Sequence, residues 1–337
     1  MTPSQPLPTK QPRRAWWLVL LGVALTLPGA RWLLRRAFAF IRRYLPGLAR
    51  RLFTPDLPLD YLIAQYTDAA SHFLTLDGLT VHYKTEGSGP PLVLLHGMFS
   101  SLHTWDGWVA QLSGRYRLIR VDLPYFGLTG APASTQRYLP LYLNFVDALA
   151  EQLGLDRFTL AGNSLGGYIA WNYARRHPSR VDKLVLIDAA GYFMFPPWLL
   201  AQLSLPFMGT LLEHITPRFI ATLNVRQVYG DPGKISPALI TRYYELCLRP
   251  GTRRGIVSLV RQIARQGGFH PRGVSQVSAP TLVLWGDRDR WIPPAHAHYF
   301  VRDIPNARLV LYPGVGHVPM EEIPEQTAAD VLAFLNA

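Results

Sequence analysis

The chain has 337 residues, 49% of them hydrophobic, and a formal net charge of +12. That is enough apolar material for one large domain with a smaller attachment, which excludes a disordered or fibrous protein. The charge is confined to one end: residues 1–55 hold ten basic residues and no acidic one, leaving +2 for the 282 that follow, so the main body offers no basic groove for nucleic acid.

The N-terminal tail, residues 2–12, is Pro-rich, and Trp16 to Ala30 then carries no charge. Extended to Leu34 past Arg31, the run is 19 residues long; at about 1.5 Å per residue it just reaches across a hydrocarbon layer of about 30 Å. Leu34, Phe38, Ile41, Leu45, Leu48 and Leu52 follow at helical steps, while Arg35/Arg36, Arg42/Arg43 and Arg50/Arg51 repeat about every seven residues. The spacing predicts a basic amphipathic helix, kinked or split at Pro46-Gly47, of the kind that anchors at a membrane surface. A cleaved secretory leader is the alternative, since Arg13 and Arg14 precede an apolar stretch. Pro28 sits badly for cleavage after Ala30, and seven arginines downstream favour retention. If the segment spans, three basic residues before it and seven after it put the following domain on the cytoplasmic side.

From about Phe73 the pattern alternates. Val81–Lys84, Leu92–Leu95, Leu118–Val121, Phe158–Ala161, Leu184–Ile187, Thr281–Trp285 and Leu309–Tyr312 read as strands, and stretches near 105–113, 140–153, 166–177, 295–302 and 324–335 as helices. Alternation of this kind predicts an α/β fold with a mostly parallel sheet covered on both faces. Residues 191–275 break the rhythm with aromatics, prolines and helical pieces but no buried strand, and read as a helical lid. The expected organisation is therefore 1–55 tail, hydrophobic segment and basic amphipathic segment, 56–190 first part of the core, 191–275 lid, and 276–337 second part of the core.

Chemistry concentrates at three loops. Gly162-Asn163-Ser164-Leu165-Gly166-Gly167 follows a strand and opens a helix, the setting in which a G-x-S-x-G turn presents a serine hydroxyl as nucleophile. A serine needs a base with a pKa near the working pH. Of ten histidines, His317 in Gly314-Val315-Gly316-His317-Val318-Pro319 lies just beyond a strand, at the same sheet edge as Ser164. The acid that orients it should follow the strand ending at Trp285: Asp289 is preferred to Asp287, because the loop must clear the strand before turning back. Asp188 reaches the same edge and reads as an acceptor fixing the start of the lid. Donors for a developing oxyanion are expected from the backbone N–H of Leu165 and of Met98, the latter in His96-Gly97-Met98-Phe99, where His96 braces the loop. The only cysteine, Cys247, lies between Leu246 and Leu248 and reads as a buried structural thiol, with no disulfide or multi-cysteine metal site to form.

Taken together, His96-Gly97, Asp122-Leu123-Pro124 with Gly127, the Ser164 turn, Gly286 to Pro293, and Gly316-His317 with Pro319 and Glu321 resemble the α/β-hydrolase superfamily over about residues 75–335. The resemblance is closest to small bacterial lipases and esterases with a G-N-S-[ML]-G-G turn and to membrane-anchored monoacylglycerol lipases. It implies a Ser164, Asp289, His317 triad, acyl-enzyme chemistry, no cofactor and no metal. Tyr125 departs from the pattern, standing where many relatives have glycine. The expected activity is hydrolysis of small-molecule carboxylic esters, lipid-like ones such as monoacylglycerol, at a membrane surface reached through the N-terminal segment. The rivals are a carbon-carbon hydrolase of ring-fission products, an acyltransferase, and a ligand-binding relative without catalysis. The sequence specifies no oligomeric state.

Overall fold

The computed structural model describes residues 28–45, 47, 53–132 and 137–337. Most of the uncharged run Trp16–Ala30 and the positions 48–52 therefore lie outside the described residues. The first element, α1 (Pro28–Tyr44), begins inside the apolar run with proline in its first turn, where the missing N–H costs nothing. It stops one residue short of Leu45, which precedes Pro46 and is thereby biased out of helical backbone. No helix among the described residues is long and apolar enough to cross a membrane. Phe38 packs edge-on against Phe53 and His214, while Trp32, Phe40, Tyr44 and Leu45 are exposed among Arg35, Arg36, Arg42 and Arg43.

After α2 (Leu59–Tyr66), eight strands form one sheet: β1 (Ser71–Leu76), β2 (Leu79–Glu86), β3 (Pro91–Leu95), β4 (Arg117–Val121), β5 (Phe158–Asn163), β6 (Val181–Ile187), β7 (Thr281–Gly286) and β8 (Ala307–Tyr312). Their order is β1-β2-β4-β3-β5-β6-β7-β8. β1 and β2 pair antiparallel, as do β2 and β4, and every other pair is parallel. β1 has no counterpart among the strands read from sequence. It is an edge strand with most of its side chains partly or fully exposed, so neither an apolar run nor a clean alternation marks it. β5 and β7 are buried along their whole length, as parallel strands covered on both faces must be.

Helices α3 (Asp106–Leu112), α4 (Tyr138–Gln152), α5 (Leu165–Arg176), α11 (Ala295–Asp303), α12 (Pro319–Glu322) and α13 (Pro324–Asn336) accompany the sheet. Between β6 and β7 the chain makes five more, α6 (Trp198–Ser204), α7 (Pro206–Leu212), α8 (Arg218–Val228), α9 (Pro237–Cys247) and α10 (Thr252–Arg265), with no strand among them. Strand order reverses around β3, so the carboxyl ends of β3 and β5 flank the crevice where such sheets hold ligands.

Tyr125 adopts a left-handed backbone with φ 77°. The turn keeps the shape a glycine would give it at the cost of local strain. Its ring lies so close to Gly255 of α10 that a Cβ there would stand 2.2 Å from Cδ1.

Candidate active site

β5 ends at Asn163, and the next residue bends the chain sharply into α5: Ser164 has φ 54° and ψ −114°. Such a backbone is strained for a side-chain-bearing residue and persists only where the surroundings enforce it. They do so by close approach. A Cβ on Gly166 would lie 2.1 Å from the Leu95 carbonyl oxygen, and one on Gly162 would lie 2.3 Å from that of Gly166. Only glycine lets β3 and the helix start press together and push Ser164 out between them. Ser164 Oγ makes no hydrogen bond to another described residue, and neither do the amide N–H groups of Leu165 and Met98.

His317 follows β8 on the loop read from sequence. Its Nδ1 stands 2.7 Å from Asp289 Oδ2. Asp289 is fixed in turn, its Oδ1 accepting from Trp291 N at 2.7 Å and Ile292 N at 3.0 Å, and the Trp291 ring stacks on the imidazole with centroids 5.7 Å apart. Asp287 does something else: it is exposed, and its Oδ1 accepts from Gly314 N at 2.7 Å, holding the base of the histidine loop. The serine turn and the histidine loop are joined through Asn163, whose Nδ2 donates to His317 O at 3.0 Å and to Ile187 O at 3.1 Å. A histidine with one ring nitrogen engaged by a carboxylate can take a proton on the other.

Asp188 is a hydrogen-bond acceptor, as read from sequence, but its donor lies at the end of β7 rather than in the lid. Its Oδ1 accepts from Gly286 N at 3.1 Å, tying β6 to β7, while Oδ2 has no partner among the described residues. Ligating atoms of Asp188, Asp289 and His317 all lie within 4.8 Å of one another. Burial, then the neighbouring Asp289 carboxylate, raise the Asp188 pKa well above its ordinary value. Asp289 has several donors and Asp188 one, so Asp188 is the member of the pair that keeps a proton.

Two supports, Glu322 and Glu321, had no role assigned from sequence. Glu322, buried, accepts from Gly230 N at 2.9 Å, Asp231 N at 2.8 Å and Gly316 N at 2.9 Å, and His317 N donates to Val228 O at 2.7 Å. The end of α8 is thus clamped to the histidine loop. Glu321 accepts from Tyr243 Oη at 2.7 Å and pairs with Arg242, joining α9 to the core. His96 is buried, with Nδ1 2.7 Å from Gly97 O and Nε2 accepting from Leu123 N at 3.0 Å; desolvation lowers its pKa, so it stays neutral and braces the loop.

Two cavities flank the Met98-Phe99 loop. One, of about 290 Å³, is walled by Met98, Phe193, Met194, Leu200, Val260 and Phe269. The other, of about 60 Å³, is lined by Phe99, Leu203, Leu212, Ile220, Arg253 and Val257 among others. The Cys247 thiol lies on the second, and burial pushes its pKa up to about 11, so it is no nucleophile.

A sheet of this order, with a strained serine after β5 and a histidine after β8, defines an α/β hydrolase. The chain belongs to that family: its profile, described as alpha/beta hydrolase fold, matches residues 90–324. Over 253 residues, 73% of this chain and 96% of the relative, it is 32% identical to pimeloyl-[acyl-carrier protein] methyl ester esterase of Nitrosomonas europaea. It is 29% identical to lipase 1 of Psychrobacter immobilis, covering 73% of this chain and 77% of the lipase. Among solved structures, a membrane phospholipase A described as a bacterial virulence factor superposes with a TM-score of 0.69 at 27% identity, covering 95% of this chain and 98% of that one.

Proposed function

We propose that the protein is a serine hydrolase that cleaves carboxylic esters of lipid-like acyl chains through an acyl-enzyme. The observation that carries this is the Asp289–His317 pair at 2.7 Å, tied through Asn163 to the turn that bears Ser164. In this reading Ser164 Oγ attacks the ester carbonyl carbon while His317 Nε2 takes its proton. Asp289 accepts from Nδ1–H, holding the tautomer and stabilising the imidazolium. The N–H groups of Met98 and Leu165 hold the oxyanion, each contributing about 100- to 1,000-fold in rate. His317 then protonates the leaving alcohol, activates a water against the acyl-enzyme, and returns the proton to Ser164.

The mostly apolar walls beside the Met98-Phe99 loop support an acyl chain, and similarity to an esterase, a lipase and a membrane phospholipase A agrees. Helices α6 to α10 then act as a lid. The exposed aromatics and arginines of α1 support docking on an anionic membrane surface.

The test is labelling by a fluorophosphonate probe together with turnover of p-nitrophenyl and monoacylglycerol esters of graded length. Ser164→Ala is expected to abolish both, at a loss of about 10⁴-fold or more. Persisting turnover in Ser164→Ala overturns the mechanism, and activity confined to short soluble esters overturns the lipid assignment.

A further inference from the structure

Segments distant in sequence enclose a polar cavity of about 530 Å³: Arg42 of α1, Asp56, Glu213 and His214 at the end of α7, and Gly251, Arg253 and Arg254 at the start of α10. Its charges do not balance. Arg253 is paired, its Nη2 donating to Asp56 Oδ1 at 2.5 Å, and at 7% exposure it is a fixed part of the wall. Arg42 and Arg254 are exposed and form no ion pair among the described residues. No other residue can supply one, because all 22 acidic residues of the chain lie among those described.

His214 reports the resulting field. Burial, then the charges of Arg42, Arg253, Arg254 and Arg35, push its pKa down to about 4, so the ring is neutral at pH 7 although Asp56 and Glu213 line the same cavity. Arg42 Nη2 donates to His214 Nδ1 at 3.4 Å, which leaves the ring proton on Nε2. The backbone adds to the same sign. α10 is 14 residues long and starts at Gly251, whose left-handed backbone, φ 89°, brings no side chain to cap the helix. The N–H groups of Arg253 and Arg254 find no acceptor among the described residues, and the positive end of the helix dipole lies at the cavity wall.

Guanidinium groups, a helix N-terminus and an imidazole N–H are all donors, the set that recognises the oxygens of a phosphate. The same helix that brings Arg42 exposes Trp32, Phe40, Tyr44 and Leu45. Such side chains settle at the headgroup depth of a bilayer, where lipid phosphates lie. Ser164 and His317 do not line this cavity, so a lipid held there is a ligand and not the ester being cut.

We propose that this cavity binds the headgroup phosphate of a phospholipid that is not turned over, tying α1 to α10. The choice of a lipid rests on the membrane docking of α1 given above; the phosphate site does not.

The test uses the full chain carrying Ser164→Ala, which removes turnover, titrated calorimetrically in uncharged detergent with dihexanoyl phosphatidate, dihexanoylglycerol and inorganic phosphate. The phosphatidate is expected to bind about tenfold or more tighter than either of the others, the scale of a charge-assisted hydrogen bond. Arg254→Gln and Arg42→Gln should each weaken phosphatidate binding by about tenfold and leave dihexanoylglycerol unchanged. In the chain with Ser164 intact, Arg254→Gln should leave fluorophosphonate labelling unchanged. Followed by NMR and assigned by its loss in His214→Asn, the His214 titration should move up by about one pH unit or more once the phosphatidate is bound, since an anion then stands beside the ring. Equal binding of phosphatidate and dihexanoylglycerol, or a preference that survives both arginine substitutions, overturns the site, as does bound phosphatidate that leaves the His214 titration in place. Inorganic phosphate binding as tightly as the phosphatidate overturns the lipid assignment.

Discussion

Replacing Asp188 by asparagine should make the protein more stable at neutral pH. Ionised, Asp188 would face Asp289 with their oxygens within 4.8 Å. Two unit charges at that separation repel by about 3 kcal/mol at an effective dielectric constant of about 20. Asp188 also has too few donors to offset its burial, accepting only from Gly286 N. His317, Glu322 and Tyr312 are the other titratable groups near it. The folded state therefore holds a proton that the unfolded chain releases near the ordinary pKa of 3.8. A raised pKa contributes stability that is complete below that value and is lost as pH rises, by about 1.4 kcal/mol per unit, until the folded-state pKa is passed. Asparagine keeps the acceptor for Gly286, directs an N–H toward Asp289, and has no proton to retain. Urea unfolding of both chains from about pH 4 to 8 should give a difference that grows with pH in favour of Asp188→Asn, at up to that slope. Asp122 works in the opposite sense: burial pushes its pKa up, but the hydrogen bond from His82 and the charges around it hold it low, so its contribution is lost as pH falls. It is common to both chains and cancels. Fluorophosphonate labelling should be nearly unchanged. A pH-independent difference, or a variant less stable at pH 7, would refute the shared-proton argument.

Asn163→Ala deletes both bonds that join the serine turn to β6 and the histidine loop. It should slow labelling of Ser164 by roughly 10- to 100-fold while costing about 1–3 kcal/mol in urea unfolding; unchanged labelling would show that the loops hold their spacing without it. Gly255→Ala puts a Cβ 2.2 Å from the Tyr125 ring, an overpacking expected to cost about 1–3 kcal/mol and to be relieved by Tyr125→Ala, so a double-mutant cycle should report strong coupling. Additive effects would place the two residues out of contact. Glu322→Gln cannot accept all three N–H donors now held by the carboxylate; it should cost roughly 2–4 kcal/mol and slow labelling, because Gly316 adjoins His317. Loss of stability with full labelling would confine Glu322 to a scaffold role.

What could be read from sequence and what could not divide along the range of the interaction. Ser164 was legible because the glycines that relieve its turn are its own neighbours, and the chain contacts that require them, Leu95 O against Gly166 above all, leave their mark within five residues. The choice of Asp289 over Asp287 was also local, since only the later residue has room to turn back, and Asp287 instead caps the loop base through Gly314. Asp188 is adjacent to Asp289 only through the pairing of β6 with β7, a neighbour relation that 100 residues of intervening sequence hide. Glu322 lies one residue after an acid that was noticed, yet its partners are Gly230 and Gly316, which helix periodicity does not link. Tyr125 was visible as a departure, but its resolution lay in Gly255, a helix-interior glycine that looks like a mere loss of stability until the ring beside it is seen. Arg253 illustrates the limit most plainly. Among nine arginines in residues 191–275 nothing in the sequence distinguishes it, because what marks it is burial with two of its nitrogens unpartnered among the described residues.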